Sequence, residues 1–388
     1  MSIYERLGIT PIINANASAA SATRLGGSLF APPVIDAMRE ASKSYVDMYQ
    51  LQEAVSRRVA ELTRNEDAFV CAGASAGLVL ATLACMTGSD MSLVARLNKF
   101  GAEALPRYEV IIHCGSRNPY DLAINLAGAH VVQIGNVWQT MPWELEGAIS
   151  EHTAAVLYMP GPDWSHGVLP LDQVIDIAHT GGVPVIVDAA AQLPPAENLW
   201  RFTQQGVDLA VFSGGKRIQG PQSTGILVGK RELINACSIH ASPHEGLGRP
   251  MKVGKEELVG ILVALEWFLE QDQGAITTAS ERITQEWIAA LNRLPGVTAT
   301  RDFPGESGRL IPRSIVEFAP LLGWTGDQIR SAMLEGKPSI DVAVAGERSI
   351  YLNAEILEPS EEMSVLEKLC WIATHPQSKV EKTQEDNK

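Results

Sequence analysis

The sequence predicts an α/β protein whose large domain holds a mainly parallel sheet of seven strands with helices on both faces. From about Asp67 to Val228, short apolar runs alternate with amphipathic stretches, which is the pattern that builds such a sheet. Runs such as VPVIV are apolar at every position, as is typical of strands that are buried on both faces. After a long helical stretch, shorter β-like runs predict a smaller C-terminal α+β domain.

The elements of the large domain are separated by Gly, Pro and Asn, which end helices and strands. The predicted strands are Asp67–Cys71, Glu109–His113, His130–Ile134, Ala154–Met159, Pro184–Val187, Leu209–Phe212 and Gly225–Val228. The predicted helices are Val34–Ser44, Leu51–Arg64, Gly77–Met86, Tyr120–Ala127, Leu171–His179 and Glu197–Gln204.

The segments on either side of the sheet have different patterns. Ile13–Gly27 is rich in Gly, Ala, Ser and Asn and predicts a long loop, which in a compact domain is more often functional than idle. KEELVGILVALEWFLEQDQG predicts one long helix that ends near Gly274, and a second helix follows over about Ser280–Leu294. RSIVEFAP and RSIYLN predict strands of the smaller domain.

These elements divide the chain into five predicted segments. They are an N-terminal loop with helices (1–60), the large domain (61–250), a linking helix (251–275), the small C-terminal domain (276–376) and a polar, disordered tail (377–388).

Composition and charge exclude several classes of protein. The 388 residues are 46% hydrophobic and 20% charged, which is globular composition, and the net charge of −14 disfavours nucleic acid as a partner. The five cysteines form no Cys-x-x-Cys pair, so neither a disulfide framework nor a zinc knuckle is indicated. We expect a cytoplasmic protein, since the sequence has no secretory leader pattern and no apolar run as long as the roughly 18 residues of a membrane span.

The most informative motif is VDLAVFSGGKRIQGPQSTGILVG, in which Lys216 follows a predicted strand and a Ser-Gly-Gly turn. Its amine would emerge at the carboxyl end of a strand, where open α/β sheets bind ligands. A lysine held there can form a Schiff base with an aldehyde cofactor. Taken alone, the motif fits an ordinary surface lysine beside a turn better than a Schiff-base lysine.

Two further strand ends suit the same cofactor. Asp188 directly follows VPVIV, and a carboxylate there can keep the pyridine nitrogen of pyridoxal phosphate protonated; a helix cap or turn is the alternative role. In FVCAGASAGLVLA, a small-residue turn opens a helix whose first N–H groups, with Ser75, suit a phosphate. A plain helix cap at Ser75 explains the same residues.

The order of phosphate turn, Asp and Ser-x-x-Lys resembles the fold-type-I pyridoxal-phosphate enzymes. SGGKRIQGPQSTGILVGKREL and PIINANASAASATRLGGS resemble the bacterial selenocysteine synthase family, and the likeness runs from about Tyr4 to Leu269. It implies a pyridoxal-phosphate-dependent transferase fold with 61–250 as the cofactor-binding domain, Lys216 as the Schiff-base lysine and Asp188 as the pyridinium partner. The implied cofactor contacts also include Ala74, Ser75, Ala76 and Gly77 in the phosphate cup, Ser213 beside the phosphate or lysine, and Gln192 near the ring hydroxyl.

Other candidate residues follow from the resemblance or from loop position. His113 lies where these folds cover the cofactor ring with a flat side chain, although a core histidine is equally compatible. Arg24, Arg117 and Arg313 are candidates for binding an anionic substrate group, with Arg313 proposed for the carboxylate; solvated surface charge is the alternative. We expect no metal, and we interpret His240-Ala-Ser-Pro-His244 as a loop.

The reaction is less narrowly indicated than the cofactor. Selenocysteine synthases carry a tRNA-binding extension, whereas this acidic chain reaches the Asn-Ala loop within sixteen residues, so we expect the family's small-substrate members, similar to D-glucosaminate-6-phosphate ammonia-lyases. Such an enzyme removes water and ammonia from a hydroxylated amino acid and gives a 2-keto-3-deoxy acid. An amino-acid racemase, aldolase or aminotransferase, a selenocysteine synthase-type transferase, and a non-enzymatic scaffold remain as alternatives.

The resemblance also predicts how the chain assembles. In fold-type-I enzymes the site lies where two subunits meet, which places Gly220, Pro221, Gln222, Ser223 and Thr224 beside the neighbouring subunit's cofactor phosphate. We therefore expect a homodimer or a larger even-numbered assembly, although a turn before a strand explains the same segment.

Overall fold

The computed structural model describes residues 2–16, 23–162, 166–305 and 307–377. Residues 17–22 of the predicted N-terminal loop and residues 378–388 of the predicted tail lie outside that range. The chain divides into two compact units. The large unit comprises Gly26–Gln271 with Glu306–Arg309, and the small unit comprises Met1–Leu25, Asp272–Gly305 and Leu310–Lys388. The finer division into five segments remains a prediction.

The elements of the described chain are numbered here in chain order. The strands are β1 (Ile12–Asn14), β2 (Asp67–Cys71), β3 (Glu109–His113), β4 (His130–Ile134), β5 (Thr153–Tyr158), β6 (Val185–Asp188), β7 (Leu209–Ser213), β8 (Gly225–Gly229), β9 (Val297–Asp302), β10 (Arg313–Phe318), β11 (Ser339–Asp341), β12 (Ala343–Gly346) and β13 (Ser349–Asn353). The α-helices are α1 (Ile3–Arg6), α2 (Pro32–Ala41), α3 (Met48–Leu62), α4 (Ala74–Thr87), α5 (Met91–Phe100), α6 (Leu122–Leu126), α7 (Pro142–Ala148), α8 (Leu171–Thr180), α9 (Asn198–Gln204), α10 (Arg231–His240), α11 (Lys255–Glu270), α12 (Gln273–Leu291), α13 (Gly326–Leu334) and α14 (Glu361–Thr374).

The large unit is built on a seven-stranded sheet with the order β2-β8-β7-β6-β5-β3-β4. β8 runs antiparallel to both of its neighbours, and the other pairings are parallel. This confirms the predicted mainly parallel sheet, and each of the seven predicted strands lies within one residue of its observed bounds.

Alternate residues of each central strand pack into two different cores. In β7, Leu209 and Val211 contact the core beneath α4 and α10, whereas Ala210 and Phe212 contact the core that α2, α3 and α11 cover. Because both faces are buried, both alternating positions are apolar, which produces the continuous runs seen in the sequence. The predicted helices on both faces of the sheet are therefore confirmed.

The long helix predicted to end near Gly274 is shorter than expected. α11 ends at Glu270, and α12 begins at Gln273 instead of near Ser280. The backbone of Gln271 is extended, and the side chain of Asp272 accepts a hydrogen bond from the N–H of Ala275, 2.9 Å away. The apolar period continues across this break, so the pattern alone did not reveal the cap.

The small unit has an antiparallel sheet of order β12-β13-β10-β9 and a separate parallel pair, β1 with β11. Its core includes Trp287, Phe318, Leu352 and Leu369. β1 lies in the segment predicted to be a loop. The sequence did not reveal this strand because its three residues, which pair with a strand near residue 340, show no local periodicity. Within the described ranges, no single helix is long and apolar enough to cross a membrane, although the bent pair α4 and α5 passes on length and composition together.

Candidate active site

The carboxyl ends of β6 and β7 bring the two principal candidates together. Asp188 is the last residue of β6 and is in register with Val211 of β7, and Lys216 lies three residues beyond the end of β7. Burial raises the pKa of the Asp188 carboxyl, while the N–H of Ala190, 3.0 Å away, and the charge of Lys216 act in the lowering direction. The amine and the carboxylate are therefore within electrostatic reach of each other, as the strand ends predict.

Lys216 lies in a hairpin connection whose backbone is closed by hydrogen bonds. The N–H of Gly214 donates to the carbonyl of Thr224 at 2.8 Å, and the N–H of Gly220 donates to the carbonyl of Gly214 at 2.9 Å. The carbonyl of Lys216 accepts the N–H of Gln219 at 3.0 Å, and Gln219 has a φ of +60°, which non-glycine residues seldom adopt. The loop thus holds the lysine backbone in one defined turn.

The predicted phosphate turn caps α4, a helix of 14 residues. Its N-cap is Gly73, with a φ of +95°, and a Cβ at this position would have no heavy atom within 4 Å. Ala74, Ser75 and Ala76 precede the first helical bond, which runs from the N–H of Gly77 to the carbonyl of Gly73 at 2.9 Å. Their N–H groups therefore point out of the helix end beside open space, as an anion site requires.

Gly77, predicted to belong to the phosphate cup, has a packing role in the structure. Its N–H is used within the helix, and a Cβ there would lie 2.8 Å from Cγ1 of Val211 and 3.1 Å from Sγ of Cys71. The glycine lets α4 approach the sheet closely. Contact of the Gly77 backbone with a phosphate stays a prediction.

Gly225, at the start of β8, supports the turn from behind and was not singled out from the sequence. A Cβ there would lie 2.6 Å from the carbonyl carbon of Gly73 and 2.8 Å from the nitrogen of Ala74. A glycine at the start of a predicted strand often marks a place where another backbone approaches closely, so Gly225 could have been identified from the sequence.

His113 ends β3 and is completely buried, and neither ring nitrogen has a hydrogen-bond partner in the part of the chain that the structure describes. Burial lowers the pKa of the imidazole to about 4. The ring meets Tyr158 edge-on, with 6.2 Å between the ring centroids. Because the ring is completely buried in the described chain, neither of its faces is exposed to a cofactor, and the stacking role stays a prediction.

Gln192 and Ser213 lie in or after the strands whose carboxyl ends form the candidate site. The amide nitrogen of Gln192 donates to the carbonyls of Pro160 at 2.9 Å and Ser307 at 2.8 Å, so it ties two loops together. Ser213 is the last residue of β7 and pairs with Gly225. Contact of either side chain with the cofactor remains a prediction.

The segment from Gly220 to Thr224 presents one of its two hydroxyls. Thr224 is completely buried, and its hydroxyl donates to the carbonyl of Pro221 at 2.6 Å, so it stabilises the turn. Ser223 is exposed and donates to the carboxylate of Glu257. Of the two predicted donors to a neighbouring subunit, only Ser223 is accessible.

The three candidate arginines all have acidic partners. Arg117 pairs with Asp121 and also donates to Gln133 at 3.2 Å in the large unit. In the small unit, Arg24 pairs with the buried carboxylate of Asp341. Asp341 also accepts bonds from Arg330 at 3.3 Å and from Asn16 at 2.9 Å.

Arg313, proposed for the substrate carboxylate, is largely buried in the small sheet. It pairs with Asp302, its partner in the β9–β10 register, and its guanidinium lies 3.9 Å from the ring centroid of Tyr351. These contacts account for its burial without a ligand. The substrate roles of the three arginines remain predictions, and the acidic partners weaken the one for Arg313 most.

The segment His240–His244 is not entirely loop. His240 is the last residue of α10, is buried, and has its Nε2 2.9 Å from the Thr87 hydroxyl. His244 packs edge-on against Tyr49 at 5.0 Å. The two rings therefore have separate partners.

The described residues fit pyridoxal phosphate. The buried carboxylate of Asp188 would be stabilised by a positive charge such as a protonated pyridine nitrogen, and the amine of Lys216 acts on it electrostatically. The helix end at Gly73 offers free N–H groups to a phosphate. The aldehyde, the pyridine nitrogen and the phosphate of the cofactor thus each have a suitable group among these side chains and N–H groups.

Comparison with known proteins agrees with this fit. The aminotransferase class-V family model matches residues 28–311. A 5'-C-glycyluridine monooxygenase-decarboxylase from Streptomyces sp is 35% identical over 87% of this chain and 83% of its own length. A D-glucosaminate-6-phosphate ammonia lyase from Salmonella typhimurium is 33% identical over 87% of this chain and 88% of its own.

More distant relatives and solved structures extend the same pattern. The L-seryl-tRNA(Sec) selenium transferase of Nitratidesulfovibrio vulgaris is 26% identical over 82% of this chain and 72% of its own. A solved D-glucosaminate-6-phosphate ammonia-lyase superposes with a TM-score of 0.83 at 29% identity, covering 97% of this chain and 99% of that one. These matches and the geometry of the Lys216 site lead to one conclusion: the chain belongs to the aminotransferase class-V family of fold-type-I, pyridoxal-phosphate-dependent enzymes.

Proposed function

We propose that this enzyme is a lyase that removes water and ammonia from a small hydroxylated amino acid, with D-glucosaminate or its 6-phosphate as the first candidates. The observation that carries the proposal is the likeness to D-glucosaminate-6-phosphate ammonia-lyases over nearly the whole chain, at 33% identity in sequence and a TM-score of 0.83 in structure. Substrate specificity resides in local sites and not in the fold alone. Likeness that covers both units therefore supports the proposal more strongly than likeness of the large unit alone would.

The atoms balance as a net deamination. The substrate loses its α-proton and its β-hydroxyl, which leave together as water. The resulting enamine takes up water and releases ammonia, so the product is a 2-keto-3-deoxy acid with the carbon skeleton intact. No oxidant or reductant is required.

The chain's own groups have definite tasks in this reaction. Pyridoxal phosphate, when bound, supplies a carbonyl for amines and a ring that takes up the electron pair left at Cα. We assign Lys216 as the amine that links to the cofactor and then takes the α-proton. Asp188 holds a proton on the ring nitrogen, and that positive charge favours the ionised carboxylate, opposing the upward pKa shift that burial produces.

A second candidate is oxygen-dependent decarboxylation of an amino acid. The observation in its favour is the 35% identity to the monooxygenase-decarboxylase, which is slightly above that to the ammonia lyase. Gas measurements distinguish the two reactions, because oxygen-dependent decarboxylation releases CO2 and consumes O2 whereas elimination does neither.

One experiment separates these candidates. Purified holoenzyme is incubated with a panel of 3-hydroxy amino acids, including D-glucosaminate and its 6-phosphate, and ammonia, 2-keto acid, CO2 and O2 are measured. Ammonia and 2-keto acid in equal amounts without O2 uptake are expected. Release of CO2 coupled to O2 uptake would transfer support to the second candidate, and neither product from any member would remove the lyase proposal.

The assignment of Lys216 is tested by chemistry that does not depend on the substrate. Borohydride reduction of the holoenzyme, followed by peptide mass analysis, should place the cofactor on Lys216. Lys216→Ala should lose both the adduct and turnover, while the exposed Lys43→Ala serves as the matched control and should keep both. An adduct on another lysine would refute the assignment.

We further propose a cytoplasmic homodimer that acts on a small molecule and binds no nucleic acid. The net charge of −14 opposes binding to a phosphate backbone, and the five free cysteines suit a reducing compartment. Large apolar side chains are exposed on Ile3, Tyr4 and Leu7 of the small unit and on Leu29 and Tyr45 of the large unit. Such surfaces support association with a second copy.

A further inference from the structure

We propose that Ser28 is a positioning residue for Lys216, an inference that rests on the proposed role of that lysine. Residues 26–28 lie shortly before α2 in the large unit and pack against the hairpin that carries Lys216. The predicted loop Ile13–Gly27 includes the first two of these residues, but the sequence predicted no role for Ser28.

Ser28 makes two hydrogen bonds to the lysine loop. Its hydroxyl donates to the carbonyl of Lys216 at 2.7 Å, and its N–H donates to the carbonyl of Gly215 at 3.1 Å. The Lys216 carbonyl also accepts the N–H of Gln219. A carbonyl oxygen has two lone pairs, so both acceptor positions of Lys216 are occupied, one of them by Ser28.

The approach of Ser28 depends on glycines at the crossing point. Gly27 has a φ of +89°, and a Cβ there would lie 2.3 Å from Oε1 of Gln222 and 3.2 Å from the carbonyl oxygen of Gly215. A Cβ on Gly215 would lie 2.6 Å from Cα of Gln222. Glycine at both positions leaves the space in which Gln222 and the 26–28 segment pack against the lysine turn.

These contacts act on the backbone and not on the amine. Fixing the carbonyl of Lys216 limits rotation about its ψ angle, so the bond from which the four-carbon side chain extends keeps one direction. Loss of the Ser28 hydroxyl would leave a neutral acceptor without one donor and allow the turn to rearrange. Proton transfer is sensitive to such displacement, whereas substrate binding by other residues is not.

The test compares three variants as holoenzymes. Ser28→Ala removes the hydroxyl, Ser28→Thr keeps a hydroxyl, and Ser42→Ala is the matched control, since the Ser42 hydroxyl also donates to a backbone carbonyl, that of Arg39 at 2.8 Å, but on an exposed helix end. The measurements are kcat, KM, the pH midpoint of the cofactor absorbance titration, and the rate at which added pyridoxal phosphate links to apoprotein.

Ser28→Ala should lower kcat about tenfold and change KM less than about twofold, as expected for loss of one well-placed hydrogen bond. It should also shift the absorbance midpoint by at least about 0.5 pH unit and slow the linking reaction. Ser28→Thr should recover most of kcat, and Ser42→Ala should match the wild type. A melting temperature of Ser28→Ala close to the wild-type value establishes that the fold is retained.

Wild-type kcat and absorbance midpoint in a folded Ser28→Ala would overturn the inference, as would an equal loss in Ser42→Ala. Failure of the underlying function is distinguishable, because it would appear as an adduct that survives in Lys216→Ala. If that variant loses the adduct while Ser28→Ala behaves as wild type, only the role of Ser28 fails.

Discussion

Two histidines of the large unit, His113 and His240, are completely buried, and burial lowers the pKa of each to about 4. An unfolded chain takes up protons on histidine below its ordinary value of about 6.5, whereas the folded chain does so only near 4. Protons are therefore bound preferentially by the unfolded state in that window, and the stability from these neutral rings is lost as the pH falls from about 6.5 to about 4.

His113→Phe should remove the contribution of one histidine to this pH dependence of stability. The free energy of unfolding should then fall less steeply between about pH 6 and 4.5, by about 1.4 kcal/mol per pH unit. Urea unfolding at a series of pH values measures the slope. The exposed His130→Gln is the control and should keep the wild-type slope; an unchanged slope in His113→Phe would show that the ring is protonated in the folded protein.

Asp188→Asn should separate stability from catalysis. Burial raises the pKa of the folded carboxyl, so the cofactor-free protein loses stability as the pH rises from the ordinary value of about 3.8 through the raised value, and the cost persists at neutral pH. The cofactor-free Asn variant should therefore melt higher than the wild type at pH 7, with the difference narrowing toward pH 4. In the cofactor-bound form, the elimination rate of the Asn variant should fall at least about a hundredfold relative to the wild type. A variant that melts lower at pH 7 would contradict the assigned environment.

At the residue scale, the positions of Lys216 and Asp188 at neighbouring strand ends were predictable because the sequence marks the ends of these strands clearly. The burial of Thr224 and the pairing of Arg313 with Asp302 were not, because their partners are set by a turn and by a strand register. Ser28 was missed for the same reason, since its acceptor lies 188 positions away in the chain.

Among the elements, the strands of the large sheet were predictable because both of their faces are buried and the composition shows it directly. The break between α11 and α12 was not, since Asp272 interrupts the backbone without interrupting the apolar period. β1 was also missed, because its pairing with β11 is a property of the folded small unit.

Asp272→Ala tests the helix break. Loss of the cap at Ala275 should lower the free energy of unfolding by about 1 kcal/mol, and Asp272→Ser should restore most of it because serine also caps well. Chemical denaturation measures both. The surface carboxylate of Asp36 pairs, among the described residues, only with Arg39 of its own helix. It provides the control variant Asp36→Ala, which should change stability by less than about 0.5 kcal/mol. Equal effects at the two positions would argue against a cap.

For the whole molecule, we expect a solution mass of at least twice the 41.8 kDa of the chain. Mixing Lys216→Ala subunits with Ser223→Tyr subunits should restore about a quarter of wild-type activity, because half of the dimers are mixed and each mixed dimer has one intact site. The mass is measured by light scattering and the activity after subunit exchange. A fully active monomer would refute the assembly, and exchange without recovery would confine Ser223 to its own subunit.

The reversed strand β8 has a consequence for biosynthesis. Among the described strands, β2 is hydrogen-bonded to β8 and to no other, although more than 150 residues separate them in the chain. β2 leads directly into the turn at Gly73, so a nascent chain that still lacks β8 has no strand with which β2 can pair. The strand that leads into the helix end that we assign to the phosphate is therefore translated early and paired late, once Gly229 has left the ribosome.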